Sequence, residues 1–170
     1  MTPSPILVAV DLSDCSPGLV RDAADFARRL GTGLTLLHVI QPTGGSSVPL
    51  HGKTGEELLL EESEQSLEQL SAPLQGVEVQ HISRCGDIGA TILEVVDALR
   101  PTLLMVGTHG RTGVHRLLLG SISEYVTRRA QVPVLSVRTR HHEGCAARSC
   151  AGCTSHVTDI ERALSAEMDG

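Results

Sequence analysis

A glycine-rich stretch in the second half of the chain carries the residues best suited to chemistry. Gly107-Thr-His-Gly110 follows an apolar run directly, and Gly120-Ser121 comes after nine further residues. Glycine has no Cβ and accepts positive φ, so backbone N–H groups can approach an anion closely there. A helix beginning at Ser121 would add free N–H groups and a hydroxyl donor. The spacing predicts a polyphosphate site, whereas the GxxG pair alone is equally compatible with a turn that reverses the chain.

Alternating apolar runs and helical patterns predict the elements that position this stretch. Apolar runs indicate five strands, at 6–10, 34–40, 77–83, 103–106 and 132–137. Segments between them predict four helices, at 21–30, 56–70, 87–99 and 121–130. Such alternation forms βαβ units, so we expect an α/β three-layer sandwich in which helices cover both faces of a parallel sheet. The glycine-rich stretch would then begin at the carboxyl end of the fourth strand, where open sheets bind ligands.

The composition restricts the class of partner. The 170-residue chain has a net charge of −6, one lysine and two aromatic residues, Phe26 and Tyr125. Nucleic-acid platforms need basic grooves and stacking rings, so we expect small molecules or proteins as partners and no nucleic acid. The N-terminal apolar run stops at Asp11 and has no basic segment before it, which predicts neither a signal peptide nor a membrane span. We therefore expect a cytoplasmic protein that does not contact membranes.

The sequence resembles one protein family in several motifs. Gly107-x-x-Gly110, nine residues, Gly120-Ser121, a helix and the strand VPVLSV resemble the nucleotide-binding motif of the universal stress protein family. ILVAVDLSDCS and LTLLHVI extend the resemblance, which covers residues 4–138. It implies a five-stranded parallel sheet of order 3-2-1-4-5, a nucleotide between the first and fourth strands, and a homodimer. The retained glycines imply the ATP-binding subclass, with Mg²⁺ and ATP as cofactors. We expect a stress or signalling module that switches its dimer or an unidentified protein partner.

The resemblance also implies a sugar and base site at the first two strands. Asp11 would hydrogen-bond the ribose, and Ala9 and Val39 would lie beside the adenine, Val39 through its backbone groups. A carboxylate suits this role because ribose hydroxyls are donors that an acceptor can select. An aspartate that ends a strand can instead cap the following turn.

The same resemblance implies phosphate contacts in the glycine-rich stretch. The residues concerned are Gly107, Gly110, Gly120 and Ser121, with Ile122 against the base or sugar. His109 and Arg111 flank the loop and would neutralise a triphosphate, unless both simply face solvent. The sequence offers no P-loop lysine, no evident water-positioning glutamine and no carboxylate pair for metal-assisted transfer. We therefore assign no catalytic residue and expect at most slow ATP hydrolysis.

The last thirty residues depart from the family pattern. We predict a nucleotide-binding domain at 1–140 and a Cys/His-rich tail with a short helix at 141–170. Cys145, Cys150, Cys153 and His156 could close a tetrahedral Zn²⁺ site. The alternatives are a redox pair at Cys150 and Cys153, and an inert tail. The second functional hypothesis is thus a metal- or redox-sensing interaction protein whose core is a scaffold.

Overall fold

Strands and helices alternate along the whole part of the chain that the computed structural model describes, residues 3–13, 15–41, 54–108 and 120–137. The strands are β1 (Ile6–Val10), β2 (Leu34–Ile40), β3 (Val79–Cys85), β4 (Leu103–Gly107) and β5 (Val134–Val137). The helices are α1 (Ser16–Leu30), α2 (Gly55–Ser71), α3 (Ile88–Leu99) and α4 (Ser121–Arg129). The predicted alternation of five strands and four helices is confirmed.

All five strands belong to one parallel sheet of order β3-β2-β1-β4-β5, as expected. The central strand β1 pairs with β2 on one side and with β4 on the other. The chain therefore builds the sheet outward from β1 in one direction and then returns to build it in the other. This reversal places a crevice at the carboxyl ends of β1 and β4.

Helices bury both faces of the sheet, which explains why the strands are apolar almost throughout. Along β1, Ile6, Val8 and Val10 pack in the core under α1 and α2, whereas Leu7 and Ala9 face α3 and α4. Successive side chains of a strand point to opposite faces, so each face receives its own core. In the described part of the chain, no helix combines the length and the apolar character needed to cross a bilayer.

Several element boundaries differ from the expectation, and the starts of α1 and β3 show two physical reasons. Helix α1 begins at Ser16 rather than at residue 21, because Pro17 in its first turn fits the helical φ without needing its missing N–H group. Strand β3 begins at Val79 rather than at residue 77, since Gly76 adopts a φ of 68° and the first bond to β2 uses the Glu78 carbonyl oxygen. Strands β1 and β2 end where expected, and β4 ends at Gly107 rather than at residue 106.

Candidate functional site at the carboxyl ends of β1 and β4

The strand registers bring three of the predicted site residues to one edge of the sheet. Ala9 lies level with Val106 of β4, so Gly107 is one position nearer the carboxyl edge. Val10 lies level with His38 of β2, which places Val39 level with the position that Asp11 occupies just past β1. Asp11, Val39 and Gly107 therefore surround the end of the central strand.

Ala9 and Val39 share the face of the sheet that α3 and α4 cover. Val39 is only 8% exposed within that core, and Ala9 is half-buried against it. The two side chains therefore form an apolar surface on this face of the sheet, near the carboxyl ends of β1 and β2.

The backbone of Val39 faces the central strand. Ile6 donates its N–H to the Gly33 carbonyl oxygen, whereas Leu34 donates its N–H toward β3, to the Glu78 carbonyl oxygen. Backbone groups alternate sides along a strand, so the odd-numbered residues of β2 direct theirs toward β1. Because β1 ends at Val10, the Val39 carbonyl oxygen lies beyond the last strand residue of β1.

The start of helix α4 is fastened to the end of β4 by two hydrogen bonds. Gly120 donates its N–H to the Thr108 carbonyl oxygen at 3.2 Å, and the Ser123 hydroxyl donates to the Gly107 carbonyl oxygen at 2.6 Å. A Cβ on Gly120 would lie 3.1 Å from that Thr108 oxygen, so this close approach favours glycine. The site residue Ser121 is exposed in the first turn of α4.

Ile122, the last of the predicted site residues, also lies in the first turn of α4. Its side chain is 36% exposed, which is unusual for a large apolar residue of this domain. An apolar side chain at that position can pack against a base or sugar at the end of the sheet.

Helices α1 and α4, which follow the two strands beside the crevice, begin without a side-chain cap among the described residues. In α2, the Thr54 hydroxyl and the Glu57 carboxylate form a reciprocal capping box, and in α3 the Asp87 carboxylate accepts from the Ala90 N–H at 2.9 Å. Among the described residues, no side chain caps α1, which follows β1, or α4, which follows β4. The first N–H groups of a helix need acceptors, and an anion can supply them.

Only one of the two oxygens of the Asp11 carboxylate accepts hydrogen bonds from the described residues. Its Oδ1 accepts from the Ser13 N–H at 3.1 Å, from the Ser13 hydroxyl at 2.6 Å and from the Ser16 hydroxyl at 3.1 Å. Its Oδ2 is buried and has no hydrogen-bond partner in the described part of the chain. The turn-capping alternative is therefore correct for Oδ1, and it leaves Oδ2 available.

A cysteine lies at the same edge of the sheet, two strands away from the crevice. Cys85 ends β3 level with Ile40 and is half-buried. Burial raises the pKa of its thiol, and the Glu56 carboxylate raises it further through its negative charge and by accepting a hydrogen bond from the thiol. The protonated thiol is thereby favoured at neutral pH.

Several predicted residues lie outside the described part of the chain. They are His109, Gly110 and Arg111 of the glycine-rich stretch and Cys145, Cys150, Cys153 and His156 of the tail. Their roles stay predictions, as does the division at residue 140. Within the described ranges, no group of three His, Cys, Asp or Glu side chains is arranged to hold a metal ion.

Sequence reasoning missed the serines that hold the site. Ser13 and Ser16 bind Asp11, and Ser123 binds the Gly107 carbonyl oxygen. Ser13 follows Asp11 by two residues, which is the spacing of a turn closed by an aspartate side chain, so this contact was detectable. Ser16 and Ser123 carry no comparable local signal, because their contacts depend on how a helix sits against a strand end.

A comparison with models of protein families assigns the chain to a family. The model of the universal stress protein family matches residues 3–138. The chain belongs to the universal stress protein family. A relative from Coxiella burnetii, universal stress protein A homolog 2, is 32% identical over 139 residues, which are 79% of this chain and 94% of the relative.

Solved structures of universal stress proteins share the fold. One, in complex with cAMP, has a TM-score of 0.60 at 22% identity and covers 82% of this chain and 100% of its own. Another, from Archaeoglobus fulgidus and in complex with dAMP, has a TM-score of 0.58 at 20% identity and covers 81% of this chain and 100% of its own. These similarities confirm the α/β architecture of the family.

Proposed function

We propose that this universal stress protein binds adenine nucleotides, with ATP as the principal ligand, at the carboxyl ends of β1 and β4. Nucleotide occupancy would then switch a homodimer or a protein partner in a stress or signalling role. The observation that carries the proposal is the uncapped N-terminus of α4, fastened to the end of β4 by Gly120 and Ser123.

The phosphates would occupy the start of α4. The first-turn N–H groups and the positive end of the helix dipole favour an anion there. Ser121 is exposed beside them and offers a hydroxyl donor. Gly120 lets the backbone lie close to Thr108, which keeps the helix start beside the end of the sheet. His109, Gly110 and Arg111, from the intervening segment, complete this phosphate site in the proposal.

The nucleoside would lie across the ends of β1 and β2. The unpartnered Oδ2 of Asp11 is an acceptor for sugar hydroxyls. The Val39 carbonyl oxygen, directed past the end of β1, is an acceptor for the amino group of adenine. Ala9 and Val39 would contact the ring from below, and exposed Ile122 from the helix side.

Two structural relatives support an adenine nucleotide by analogy. One universal stress protein was solved in complex with cAMP and another with dAMP, and both ligands contain adenine, a sugar and a phosphate. The features of this chain described above provide acceptors and donors for the same three parts. Mg²⁺ commonly binds through substrate phosphates, so we propose that it accompanies ATP. We propose no catalytic residue, and ATP turnover is expected to be slow.

A charge substitution at Ser121 tests the proposal without unfolding the helix. Ser121→Asp places a carboxylate at the start of α4. There it interacts favourably with the helix dipole but repels phosphate. We expect its affinity for ATP, measured by titration calorimetry, to fall about tenfold or more relative to wild type. Ser121→Asn is the matched control: it has the same shape without the charge and should bind within about threefold of wild type.

The native ligand can be examined on the same preparations. Wild-type protein purified from cells should release an adenine nucleotide on denaturation, identified by chromatography and mass spectrometry, and Ser121→Asp should release much less. Wild-type protein that releases no nucleotide and binds neither ATP nor AMP in calorimetry would refute the proposal. Equal affinity of Ser121→Asp and Ser121→Asn would refute the placement of the phosphates.

A further inference from the structure

Strand β3 lies at one edge of the sheet, and its backbone hydrogen bonds define what its open side offers. Among the described strands, β3 pairs with β2 alone. Leu34 of β2 donates its N–H to the Glu78 carbonyl oxygen, so the even-numbered residues of β3 direct their backbone groups toward β2. Backbone groups alternate sides along a strand. The N–H and C=O groups of the odd-numbered residues from 79 to 85 therefore point away from the sheet.

Opposite charges lie at the two ends of this edge, on one face of the sheet. Ile82 packs in the core on the side of α3 and α4. Glu78 and Arg84 are separated from Ile82 by even numbers of residues, so they lie on the same face, and both are exposed. His81 is midway between the two charges in the sequence.

The placement of these charges distinguishes the ways in which two such edges can pair. A parallel copy in register would bring each charge beside its own sign, which is unfavourable. An antiparallel copy centred on His81 instead brings Arg84 of each chain opposite Glu78 of the other. The edge is therefore complementary to itself in the antiparallel orientation.

Arg84 covers part of the open edge when β3 has no further neighbour. Its Nη1 donates a 3.0 Å hydrogen bond to the Ser83 carbonyl oxygen, which belongs to the outward-pointing set. Charged side chains commonly shield the unpaired groups of an edge strand in this way. An N–H of an added strand can take over this acceptor, and the guanidinium is then available for a carboxylate on that strand.

We propose that β3 is a docking edge for a second copy of this chain, whose β3 pairs with it in antiparallel orientation about a two-fold axis at His81. In this register the backbones of the two His81 residues bond to each other, and Val79 of each chain exchanges N–H···O bonds with Ser83 of the other. The two five-stranded sheets become one continuous sheet. The inference goes beyond the proposed function, because this contact requires no nucleotide.

Helix α2 limits the strength of the contact. It packs on the other face of β3, where the Ser63 and Ser83 hydroxyls share a 2.7 Å hydrogen bond, and it carries six glutamates and neither lysine nor arginine. The α2 helices of the two chains meet across the axis with like charges, whereas the Glu78–Arg84 pairs are exposed to solvent. We therefore expect weak association, with a dissociation constant of about 0.1 mM.

Charge reversal tests this register on the full chain without nucleotide. Sedimentation of the wild type should show association that increases with concentration up to about 1 mM. Glu78→Arg and Arg84→Glu each bring like charges together twice and should raise the dissociation constant about tenfold or more. The double variant restores opposite charges and should associate within about threefold of the wild type.

Two control variants carry the same changes in net charge at exposed positions outside β3. They are Arg21→Glu on α1, matched to Arg84→Glu, and Glu94→Arg on α3, matched to Glu78→Arg. Both should associate as the wild type does. Thermal transitions check that each variant is folded.

Hydrogen exchange of the wild type, measured by NMR, locates the contact without any substitution. The N–H groups of Val79, His81 and Ser83 point outward and should exchange faster in dilute protein than those of Gln80 and Ile82, which are directed toward β2. Raising the concentration should slow exchange in the first set and leave the second unchanged. This pattern of alternate residues is specific to pairing at the β3 edge.

The outcomes that overturn the inference are distinct from those that refute nucleotide binding. The inference fails if the wild type does not associate by about 1 mM, or if both charge reversals associate as the wild type does. Protection of the odd-numbered amides at every dilution overturns it as well, since another segment of the chain would then cover the edge. Absence of ATP binding leaves this result intact, and absence of association leaves the nucleotide site intact.

Discussion

The hydroxyl of Ser123 donates a 2.6 Å hydrogen bond to the carbonyl oxygen of Gly107, joining the first turn of α4 to the last residue of β4. Ser123 is 4% exposed, so water does not readily replace this bond. The contact fixes where the uncapped N-terminus of α4 points. An isolated helix dipole attracts an anion weakly, whereas one held at the end of a sheet presents its N–H groups at a defined position.

Removal of this hydroxyl should affect both stability and ligand affinity. We expect Ser123→Ala to lower the free energy of unfolding by about 1 kcal/mol, because a buried hydrogen bond is lost and the Gly107 oxygen is left unpaired. ATP affinity should fall by about threefold to tenfold as the helix start loosens. Urea denaturation and calorimetry measure the two effects.

Thr127→Val is the matched control for Ser123→Ala. The Thr127 hydroxyl bonds the Ser123 carbonyl oxygen inside α4 at 2.6 Å and does not reach β4. We expect this variant to bind ATP as the wild type does. A loss of ATP affinity as large as that of Ser123→Ala would show that the helix as a whole, rather than its link to β4, determines binding.

Glycine at position 120 should be required for the close approach of α4 to β4. Gly120→Ala places a Cβ 3.1 Å from the Thr108 carbonyl oxygen, so that contact must open. We expect ATP affinity to fall about tenfold and stability to fall by about 1 kcal/mol. Gly55→Ala, at the start of α2, has open space around the added Cβ and should leave both quantities near wild type. Wild-type ATP affinity in Gly120→Ala would contradict the prediction.

The packing of α4 on α3 depends on a second glycine. A Cβ on Gly89 would lie 2.6 Å from Cδ1 of Tyr125. The guanidinium of Arg129 lies over the same ring, 4.1 Å from its centroid. Gly89→Ala should therefore lower the free energy of unfolding by about 1–3 kcal/mol. A double-mutant cycle with Tyr125→Ala checks the cause: the two losses should be less than additive, because removing the ring removes the clash. Strict additivity would contradict it.

The thiol of Cys85 should be slow to react near neutral pH. Its raised pKa leaves little thiolate, the nucleophilic form, and the rate of alkylation should rise about tenfold per pH unit until that pKa is reached. Glu56→Gln removes the negative charge that helps to raise the pKa, so alkylation at pH 7.5 should become several times faster. Glu62→Gln changes the net charge equally at an exposed position farther along α2 and should leave the rate unchanged. Peptide mapping by mass spectrometry assigns the rate to Cys85, and a slower Glu56→Gln variant would contradict the interpretation.

Local patterns were sufficient for much of the fold. Apolar runs and helical periods predict every strand and helix of the described part. The reason is that a parallel sheet buried on both faces requires apolar residues at nearly every strand position. The boundary errors at Ser16 and Val79 arise where a proline or a neighbouring strand, rather than periodicity, determines the first residue of the element.

The family motif, the glycine spacing and the carboxylate after β1 are properties of consecutive residues, so they can be predicted from the sequence. The use of one Asp11 oxygen by Ser13 and Ser16, while the other has no partner among the described residues, is visible only in the folded chain. The same holds for the bond from Ser123 to Gly107 and for the start of α4, which no described side chain caps. These contacts depend on strand register and on where each helix meets the sheet, which distant parts of the chain set together through packing.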